Sequence, residues 1–310
     1  MNEIDPINQT KLYGLKKYID ELIKLQNNAK LPTKILLSGL KGTGKSTLAY
    51  HFVNYVLSKT EDFNYNIDKC EINTQNHSFI TIKNKSNPNL IILDINDEKK
   101  FIDIDQVRKL IITLNKSSFN SKPRFVVIDN IEFLNVNSIN ALLKILEEPT
   151  SNTYFILINN SNGKILPTLY SRCINFKITL SNNESLMIAN QLLDGRLNQI
   201  MNSDLINYYS TPGNILRLIK FGETNNYDLL NMDLKKFLTN IIKDKQYKDI
   251  LMLYLIFDLI ESYFRKLNQN INTQISNRYD YFMKRISDIK KFNLDTESLF
   301  IELKEEILNG

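Results

Sequence analysis

Residues 39–46 read Gly39-Leu40-Lys41-Gly42-Thr43-Gly44-Lys45-Ser46, and this stretch decides the fold because it fits the phosphate-loop pattern G-x-x-x-x-G-K-[ST] without a mismatch. An apolar run at 34–38 precedes the loop as a predicted strand, and residues 46–57 follow with helical periodicity. Glycines let backbone N–H groups turn inward around phosphate oxygens, and a helix N-terminus adds partial positive charge. In such a loop Lys45 reaches the β- and γ-phosphates, and the Ser46 hydroxyl binds Mg²⁺. The stretch therefore predicts a nucleotide site.

A second strand ends in an acidic residue, as a site of this kind requires. The run at 125–128 is apolar and Asp129 follows it, so Asp129 is predicted to hold Mg²⁺ directly or through water. The next residue is Asn130, at a position where a glutamate often activates the attacking water, and an amide cannot accept that proton. We do not expect Glu132, two residues further on, to substitute. The site is therefore predicted to bind ATP or ADP with Mg²⁺ and to hydrolyse ATP poorly.

The rest of the chain divides into an α/β part and a helical part. Apolar strands predicted at 90–95, 124–129 and 154–158 alternate with helices, which is typical of βαβ units and a parallel sheet covered on both faces. From residue 183 onward the sequence has helix and turn signals and almost no strand signals. We predict a nucleotide-binding α/β domain at 1–179, a small helical lid at 180–226 and an all-α domain at 227–310.

Composition and charge limit the classes of function. The formal net charge is +5, from 39 basic and 34 acidic residues, which permits contact with nucleic acid without requiring it. Cys70 and Cys173 lie far apart, and a structural zinc site uses four well-spaced ligands, so no zinc is expected. The longest apolar run, at 250–257, is too short to span a membrane, and the N-terminus is polar and acidic. These features predict a soluble, cytoplasmic protein without a membrane partner.

Two further motifs resemble those of a known family. Residues 140–149 read NALLKILEEP, nearly the NALLKTLEEP signature of ATPase-like subunits of bacterial clamp loaders, and Ser171-Arg172-Cys173 matches their SRC motif. Together with the phosphate loop, these motifs make the chain similar to AAA+ clamp-loader subunits of DNA polymerase III over roughly residues 10–178. The resemblance implies a RecA-like AAA+ domain with a parallel sheet, followed by a small helical lid and an all-α collar through which subunits form a ring.

The resemblance also implies roles for particular residues. Arg172 matches the arginine finger that reaches the γ-phosphate on a neighbouring subunit, and the alternative for this residue is an internal salt bridge. Asn159 and Asn160 match the sensor 1 position that orients the attacking water, although asparagine at a strand end is also ordinary turn chemistry. Tyr13 lies on the adenine side of the family's site, or packs at a helix start. The residues predicted to bind the nucleotide are Gly39, Leu40, Lys41, Gly42, Thr43, Gly44, Lys45, Ser46, Thr47, Asp129 and Tyr13, with Ser46 and Asp129 as ligands of Mg²⁺.

Two departures from the family pattern favour one type of subunit. Residues 210–216 read STPGNIL, which lacks the sensor 2 arginine and resembles the GSPG form of delta-prime subunits, and the glutamate after Asp129 is also missing. We therefore expect a delta-prime-type subunit that offers Arg172 in trans. Its implied partners are gamma/tau and delta subunits in a hetero-pentameric ring, the sliding clamp, and the phosphate backbone of primer-template DNA. The alternatives are an ATP-hydrolysing gamma/tau-like motor subunit, a stand-alone DNA-processing P-loop ATPase, and a scaffold with a vestigial phosphate loop.

Overall fold

The structure is a computed structural model that describes residues 5–95, 101–116, 119–160, 167–206, 210–248, 250–267, 273–292 and 294–308. The chain forms two compact units. The first contains residues 1–188 together with 211–213, and the second contains 189–210 together with 214–310. The division into three domains predicted from the sequence stays a prediction.

The first unit is built on a five-stranded sheet. Its strands are β1 (Lys34–Ser38), β2 (Leu90–Leu93), β3 (Arg124–Ile128), β4 (Thr153–Asn159) and β5 (Ile174–Lys177). Their order is β2-β3-β4-β1-β5, and every pairing is parallel. The predicted α/β class with a parallel sheet is confirmed. Because all the strands run in one direction, the segments that follow them meet at one edge of the sheet, where parallel α/β folds carry their ligands.

Helices account for most of the remaining described residues. They are α1 (Lys16–Asn27), α2 (Lys45–Leu57), α3 (His77–Lys83), α4 (Ile104–Leu114), α5 (Val136–Glu147), α6 (Pro167–Tyr170), α7 (Asn182–Leu192), α8 (Leu197–Ile200), α9 (Pro212–Thr224), α10 (Leu234–Lys243), α11 (Ile250–Leu267), α12 (Thr273–Phe292) and α13 (Glu297–Leu303). Polar caps define where several of them begin. Asp103 and Gln106 form a reciprocal capping box at α4, and the Asn135 side chain accepts the Ser138 N–H at the start of α5.

One hydrophobic core fixes the sheet against α4 and α5. Val126, Ile128 and Leu157 of the strands are fully buried, and they pack in the same cluster as Leu142 and Leu146 of α5. Burial of each such side chain contributes about 1.5–3 kcal/mol. The apolar positions of the NALLKILEEP run therefore hold α5 on the sheet, and this packing sets where the two ends of α5 lie.

The described residues of the second unit form helices and the turns that join them, and none of them lies in a strand. Asp204 accepts the Leu234 N–H at 2.9 Å and the Lys266 Nζ at 2.7 Å, so one carboxylate joins three segments. Phe300 of α13 stacks on Tyr247, with a ring-centroid distance of 4.4 Å. The predicted change from α/β to helical structure is confirmed. No helix in the described parts of the chain is long and apolar enough to cross a membrane.

A buried histidine supports the segment that follows α2. The His51 Nε2 lies 3.0 Å from the Gln9 carbonyl oxygen, and its Nδ1 lies 3.1 Å from the Tyr65 hydroxyl. A carbonyl oxygen only accepts, so Nε2 carries the proton and Nδ1 accepts from Tyr65. Burial lowers the pKa of His51 to about 4, despite the bond to Gln9. The neutral form is therefore part of the folded state.

This histidine is expected to make stability depend on pH. Between pH 6.5 and 4 the unfolded chain binds a proton that the folded chain excludes. The contribution of neutral His51 to the free energy of unfolding is fully present above pH 6.5. It is lost as the pH falls, by about 3 kcal/mol in total. We expect His51→Gln to remove this part of the slope when the free energy of unfolding in urea is measured from pH 4 to 7.5. The exposed His77→Gln serves as the control, and parallel curves for His51→Gln and wild type would contradict the prediction.

Candidate nucleotide-binding site

The phosphate loop connects β1 to α2, and its backbone needs glycine. Gly42 and Gly44 have φ of +84° and +86°, in the left-handed region that favours glycine. Gly44 is also the N-cap of α2, and no side chain caps the helix there. The first N–H groups of α2 therefore face the loop without a side-chain acceptor, which is the arrangement that binds phosphate at a helix N-terminus.

Lys45 is the most deeply buried charged group of this loop, with 2% of its surface exposed. Its Nζ donates to the carbonyl oxygens of Gly39 at 3.0 Å and Leu40 at 2.6 Å. Burial lowers the pKa of Lys45 to about 8, although the nearby carboxylates of Asp129 and Glu132 raise it. A cation held in this way is protonated at neutral pH and gains from any additional anion, because a second negative partner offsets its desolvation.

Ser46 and Asp129 meet as the sequence predicts for ligands of one metal ion. The Ser46 Oγ donates to the Asp129 Oδ2 at 2.5 Å, and the Asn160 Nδ2 donates to the Asp129 Oδ1 at 2.9 Å. A hydroxyl and a carboxylate are oxygen ligands of the kind that Mg²⁺ prefers, and Mg²⁺ commonly takes only one or two ligands from the protein. The donor set at this edge of the sheet therefore fits Mg²⁺.

The side chain of Asn160, one of the two sensor 1 candidates, bonds to the acidic groups of the site. Besides Asp129, its Nδ2 contacts the Asn130 Oδ1 at 3.0 Å, and its backbone N–H donates to the Glu132 Oε2 at 3.2 Å. Asn159 is buried as the last residue of β4, level with Ser38 of β1. The assignment of either residue to orienting a water molecule stays a prediction.

Sequence reasoning missed Asp94, which also belongs to this cluster. The Asn130 Nδ2 donates to the Asp94 Oδ1 at 2.8 Å, and Asn130 itself has φ of +54°. Burial raises the pKa of Asp94 above its ordinary range, although the bond from Asn130 lowers it, and burial likewise raises the pKa of Glu132. The signal was present, because the apolar run 90–93 ends in Asp94 just as 125–128 ends in Asp129. Only the pairing of β2 with β3 brings the two together.

The segment before α1 contacts both the loop and α7. A Cβ on Gly44 would lie 3.1 Å from the Leu15 Cδ1, and a Cβ on Gly14 would lie 2.3 Å from the Ile188 Cδ1. Tyr13 is half-buried next to this contact, and the Lys11 Nζ lies 5.5 Å from the centre of its ring. Tyr13 is therefore close in sequence to residues that touch the loop, and its role at the base stays a prediction. Thr47 lies in the first turn of α2.

Residues 211–213 form a second contact with the phosphate loop. The Thr211 Oγ1 donates to the Lys41 carbonyl oxygen at 2.7 Å, and the Gly213 N–H donates to the Gly42 carbonyl oxygen at 2.9 Å. A Cβ on Gly213 would lie 2.6 Å from the Gly42 Cα, a separation that real Cβ atoms essentially never show. Gly213 therefore permits a backbone approach that no other residue type allows.

Gly213→Ala is expected to disturb this approach. The added methyl group forces two backbones apart, so we expect a loss of about 1–3 kcal/mol in the free energy of unfolding. A gain in helix propensity of about 1 kcal/mol offsets only part of it. MgADP affinity should fall about tenfold, which corresponds to about 1.4 kcal/mol. Urea unfolding and calorimetric titration measure the two effects, with the exposed Glu223→Ala on the same helix as control. A more stable Gly213→Ala variant with unchanged MgADP affinity would refute the steric argument.

Arg172 lies at the edge of the sheet where the strands begin, opposite the edge that carries the phosphate loop. It precedes β5, whose first residue Ile174 is level with Ile35 near the start of β1. The phosphate loop begins four residues after Ile35, roughly 13 Å further along the strand. The Arg172 Nε and Nη2 contact the Glu147 Oε1 at 3.2 and 2.6 Å. The internal salt bridge that the sequence left open is thus present within this chain.

The described residues contain no group of three or more His, Cys, Asp and Glu side chains placed to hold a metal ion. Cys70 is buried and Cys173 is half-buried, and both thiols are free. Burial raises the pKa of both thiols, that of Cys173 to about 11. Neither sulfur is thus a reactive thiolate at neutral pH.

Known proteins resemble this chain over the unit that carries the site. Residues 14–182, more than half of the chain, match the model of a family described as DNA polymerase III, delta subunit. The chain belongs to this family. Over 146 residues it is 34% identical to the DNA polymerase III subunit delta' of Buchnera aphidicola subsp. Baizongia pistaciae, which covers 45% of this chain and 42% of that protein.

Two other relatives in this family have the same name. The DNA polymerase III subunit delta' of Pseudomonas aeruginosa is 31% identical over 139 residues, covering 45% of this chain and 40% of that protein. The one from Buchnera aphidicola subsp. Schizaphis graminum is 25% identical over 303 residues, covering 89% of this chain and 85% of that protein. The chain spans about two fifths of the length of the first two relatives. The resemblance to delta-prime-type subunits is thereby confirmed.

Proposed function

We propose that this chain is a delta-prime-type clamp-loader subunit that binds MgATP or MgADP and offers Arg172 to the nucleotide of a neighbouring subunit. The observation that carries the proposal is the position of Arg172. It lies at the edge of the sheet opposite the chain's own phosphate loop, since Ile174 pairs with Ile35 near the start of β1. This distance from the chain's own loop supports a role at a phosphate outside this chain, and the planar fork of a guanidinium suits phosphate oxygens.

The chain's own loop supports nucleotide binding. Lys45 would hold the β- and γ-phosphates, and Ser46 and Asp129 would hold Mg²⁺, which neutralises phosphate charge when it is bound. Backbone N–H groups at the start of α2 would bind the remaining phosphate oxygens. The complete motif and the paired metal ligands argue against a scaffold with a vestigial loop.

The bonds of Asn130 support weak or absent hydrolysis at this site. Its amide donates to Asp94 and its carbonyl oxygen accepts from Asn160, so both ends of the side chain are occupied. An amide does not accept a proton from water. Glu132 is bonded to the backbone N–H of Asn160. These contacts support a subunit that binds ATP without turning it over, and they argue against the gamma/tau-like motor.

The assembly and the finer domain division are part of the same proposal. The named relatives are subunits of DNA polymerase III, which supports a partnership with gamma/tau and delta subunits in a hetero-pentameric ring. In this proposal residues 180–226 form the lid and 227–310 form the collar. The ring would load the sliding clamp on primer-template DNA, touching the phosphate backbone, in the cytoplasm.

The test measures binding and turnover separately. Calorimetric titration of the purified chain with MgATP and MgADP is expected to show binding, and the chain alone is expected to show no ATP turnover. Addition of the chain to ATP-hydrolysing and delta-type subunits of the same organism is expected to raise their turnover, and this increase is the chain-dependent turnover. Rapid turnover by the chain alone would favour the motor subunit or a stand-alone ATPase. Absence of binding would favour the scaffold.

A further inference from the structure

Arg172 is held by two groups of its own chain. The Glu147 Oε1 accepts from Nε at 3.2 Å and from Nη2 at 2.6 Å, and the Thr168 carbonyl oxygen accepts from Nη1 at 2.9 Å. A guanidinium has five N–H groups. These contacts with the described residues use three of them and leave one N–H on each terminal nitrogen. Each terminal nitrogen therefore still has a donor for a phosphate oxygen.

Glu147 is an unfavourable residue for its position in α5. It is the last residue of the helix, where the partial negative charge of the helix end repels a carboxylate. The carboxylate and the helix end both attract the guanidinium of Arg172, so the cation is drawn to this point by two sources of negative charge. Glu148 follows directly and has no ion pair among the described residues.

Exposure distinguishes this pair from a stabilising one. The side chains of Arg172 and Glu147 are 34% and 53% exposed. Exposed ion pairs contribute little to folding, because water screens the charges and both side chains lose rotamer freedom. The loss of rotamer freedom has a different consequence for binding, since an arginine that is already ordered loses less entropy when it meets a phosphate.

We infer that Glu147 is a positioning residue, which orders Arg172 with one N–H on each terminal nitrogen left for the phosphate of a neighbouring subunit. The inference rests on the proposed function, in which Arg172 acts in trans. Glu147 does not touch the nucleotide itself. Its carboxylate fixes one edge of the guanidinium, and the Thr168 carbonyl oxygen fixes a third N–H. The neighbour's phosphate then replaces water on the two remaining donors.

The test compares Glu147→Gln with Glu148→Gln in the complex with ATP-hydrolysing and delta-type subunits. Glu147→Gln keeps the size of the side chain and removes the charge. We expect it to lower the kcat of the chain-dependent turnover about three- to tenfold, the factor for one side chain that is no longer ordered. The KM for ATP, the thermal midpoint of the chain and its incorporation into the complex should remain unchanged. Glu148→Gln should stay within about 1.5-fold of wild type, since no contact to Arg172 is lost.

Each other outcome has one meaning. Wild-type turnover with Glu147→Gln, when Arg172→Ala abolishes the chain-dependent part, overturns the positioning role and leaves the proposed function in place. Wild-type turnover with both Glu147→Gln and Arg172→Ala overturns the proposed function. A fall in turnover matched by lower thermal stability or lost incorporation means that the ion pair is structural, which also overturns the positioning role. Higher turnover with Glu147→Gln means that the carboxylate competes with phosphate for Arg172, which also overturns the positioning role.

Discussion

Replacing Lys45 with alanine is expected to weaken MgATP binding about a hundredfold or more and to leave the chain folded. The Lys45 Nζ is buried between the carbonyl oxygens of Gly39 and Leu40, where its charge would meet the β- and γ-phosphates. Removal of one partner from a buried charge pair costs about 2–5 kcal/mol, and about 2.8 kcal/mol corresponds to a hundredfold change in affinity. Calorimetric titration with MgATP measures the loss, and the exposed Lys30→Ala is the control.

The same variant has a characteristic effect on stability. Burial lowers the pKa of Lys45 to about 8, so the unfolded chain binds more protons than the folded chain between pH 8 and 10.5. Stability therefore rises with pH in that window, and below pH 8 the buried charge opposes folding by about 3 kcal/mol. The two bonds to carbonyl oxygens offset part of this cost. We expect Lys45→Ala to unfold at a urea concentration no lower than wild type at pH 7, with a difference that shrinks above pH 8.

The pH dependence of binding provides a further check on Lys45. Only the protonated amine attracts phosphate, and it loses its proton near pH 8. MgATP affinity of the wild-type chain is expected to fall above pH 8 by up to about tenfold per pH unit, and Lys45→Ala should lack this fall. Binding by Lys45→Ala within threefold of wild type would remove Lys45 from the site and would contradict its contact with the phosphates.

Local motifs were sufficient to predict the core of the site. The phosphate loop is a continuous stretch that carries its own glycines and its own helix start, so its conformation depends little on the rest of the chain. Asp129 was found because a phosphate loop requires a second strand that ends in an acidic residue, and the apolar run 125–128 is followed by one. The strands themselves shifted by a few residues, since β2 ends at Leu93 where a strand to 95 was predicted. Strand ends depend on pairing, which a single segment does not contain.

Long-range contacts were what the sequence could not provide. Asp94 follows an ordinary apolar run, and only the neighbouring strand gives it Asn130 as a partner. The contact between Thr211 and Lys41 joins residues 170 positions apart. Such contacts require the strand order and the path of the chain, whereas periodicity reports only on the next few residues. The motif identified Arg172 but not its partner Glu147, because a guanidinium pairs with a carboxylate and with a phosphate by the same chemistry.

Arg172→Ala is expected to have the largest effect of any single change, and the effect appears on another subunit. An arginine finger contributes about 10³–10⁵ to turnover in P-loop enzymes. We therefore expect the chain-dependent turnover to fall at least about a hundredfold. The total turnover of the complex then equals the background of the other sites. Arg172→Lys should recover little, because an ammonium group lacks the planar fork that binds two oxygens. Steady-state ATP turnover of the complex, with and without the chain, measures the effect.

Lys45→Ala is the matched control for this result, because the two residues lie at opposite edges of one sheet. A subunit that acts through Arg172 should tolerate Lys45→Ala in the chain-dependent turnover, although its own MgATP binding is lost. Arg172→Ala should show the reverse, with normal binding of MgATP and no chain-dependent turnover. A motor subunit predicts loss of turnover with Lys45→Ala, since hydrolysis would occur in its own loop. Normal chain-dependent turnover with Arg172→Ala would leave the arginine as an internal partner of Glu147 and nothing more.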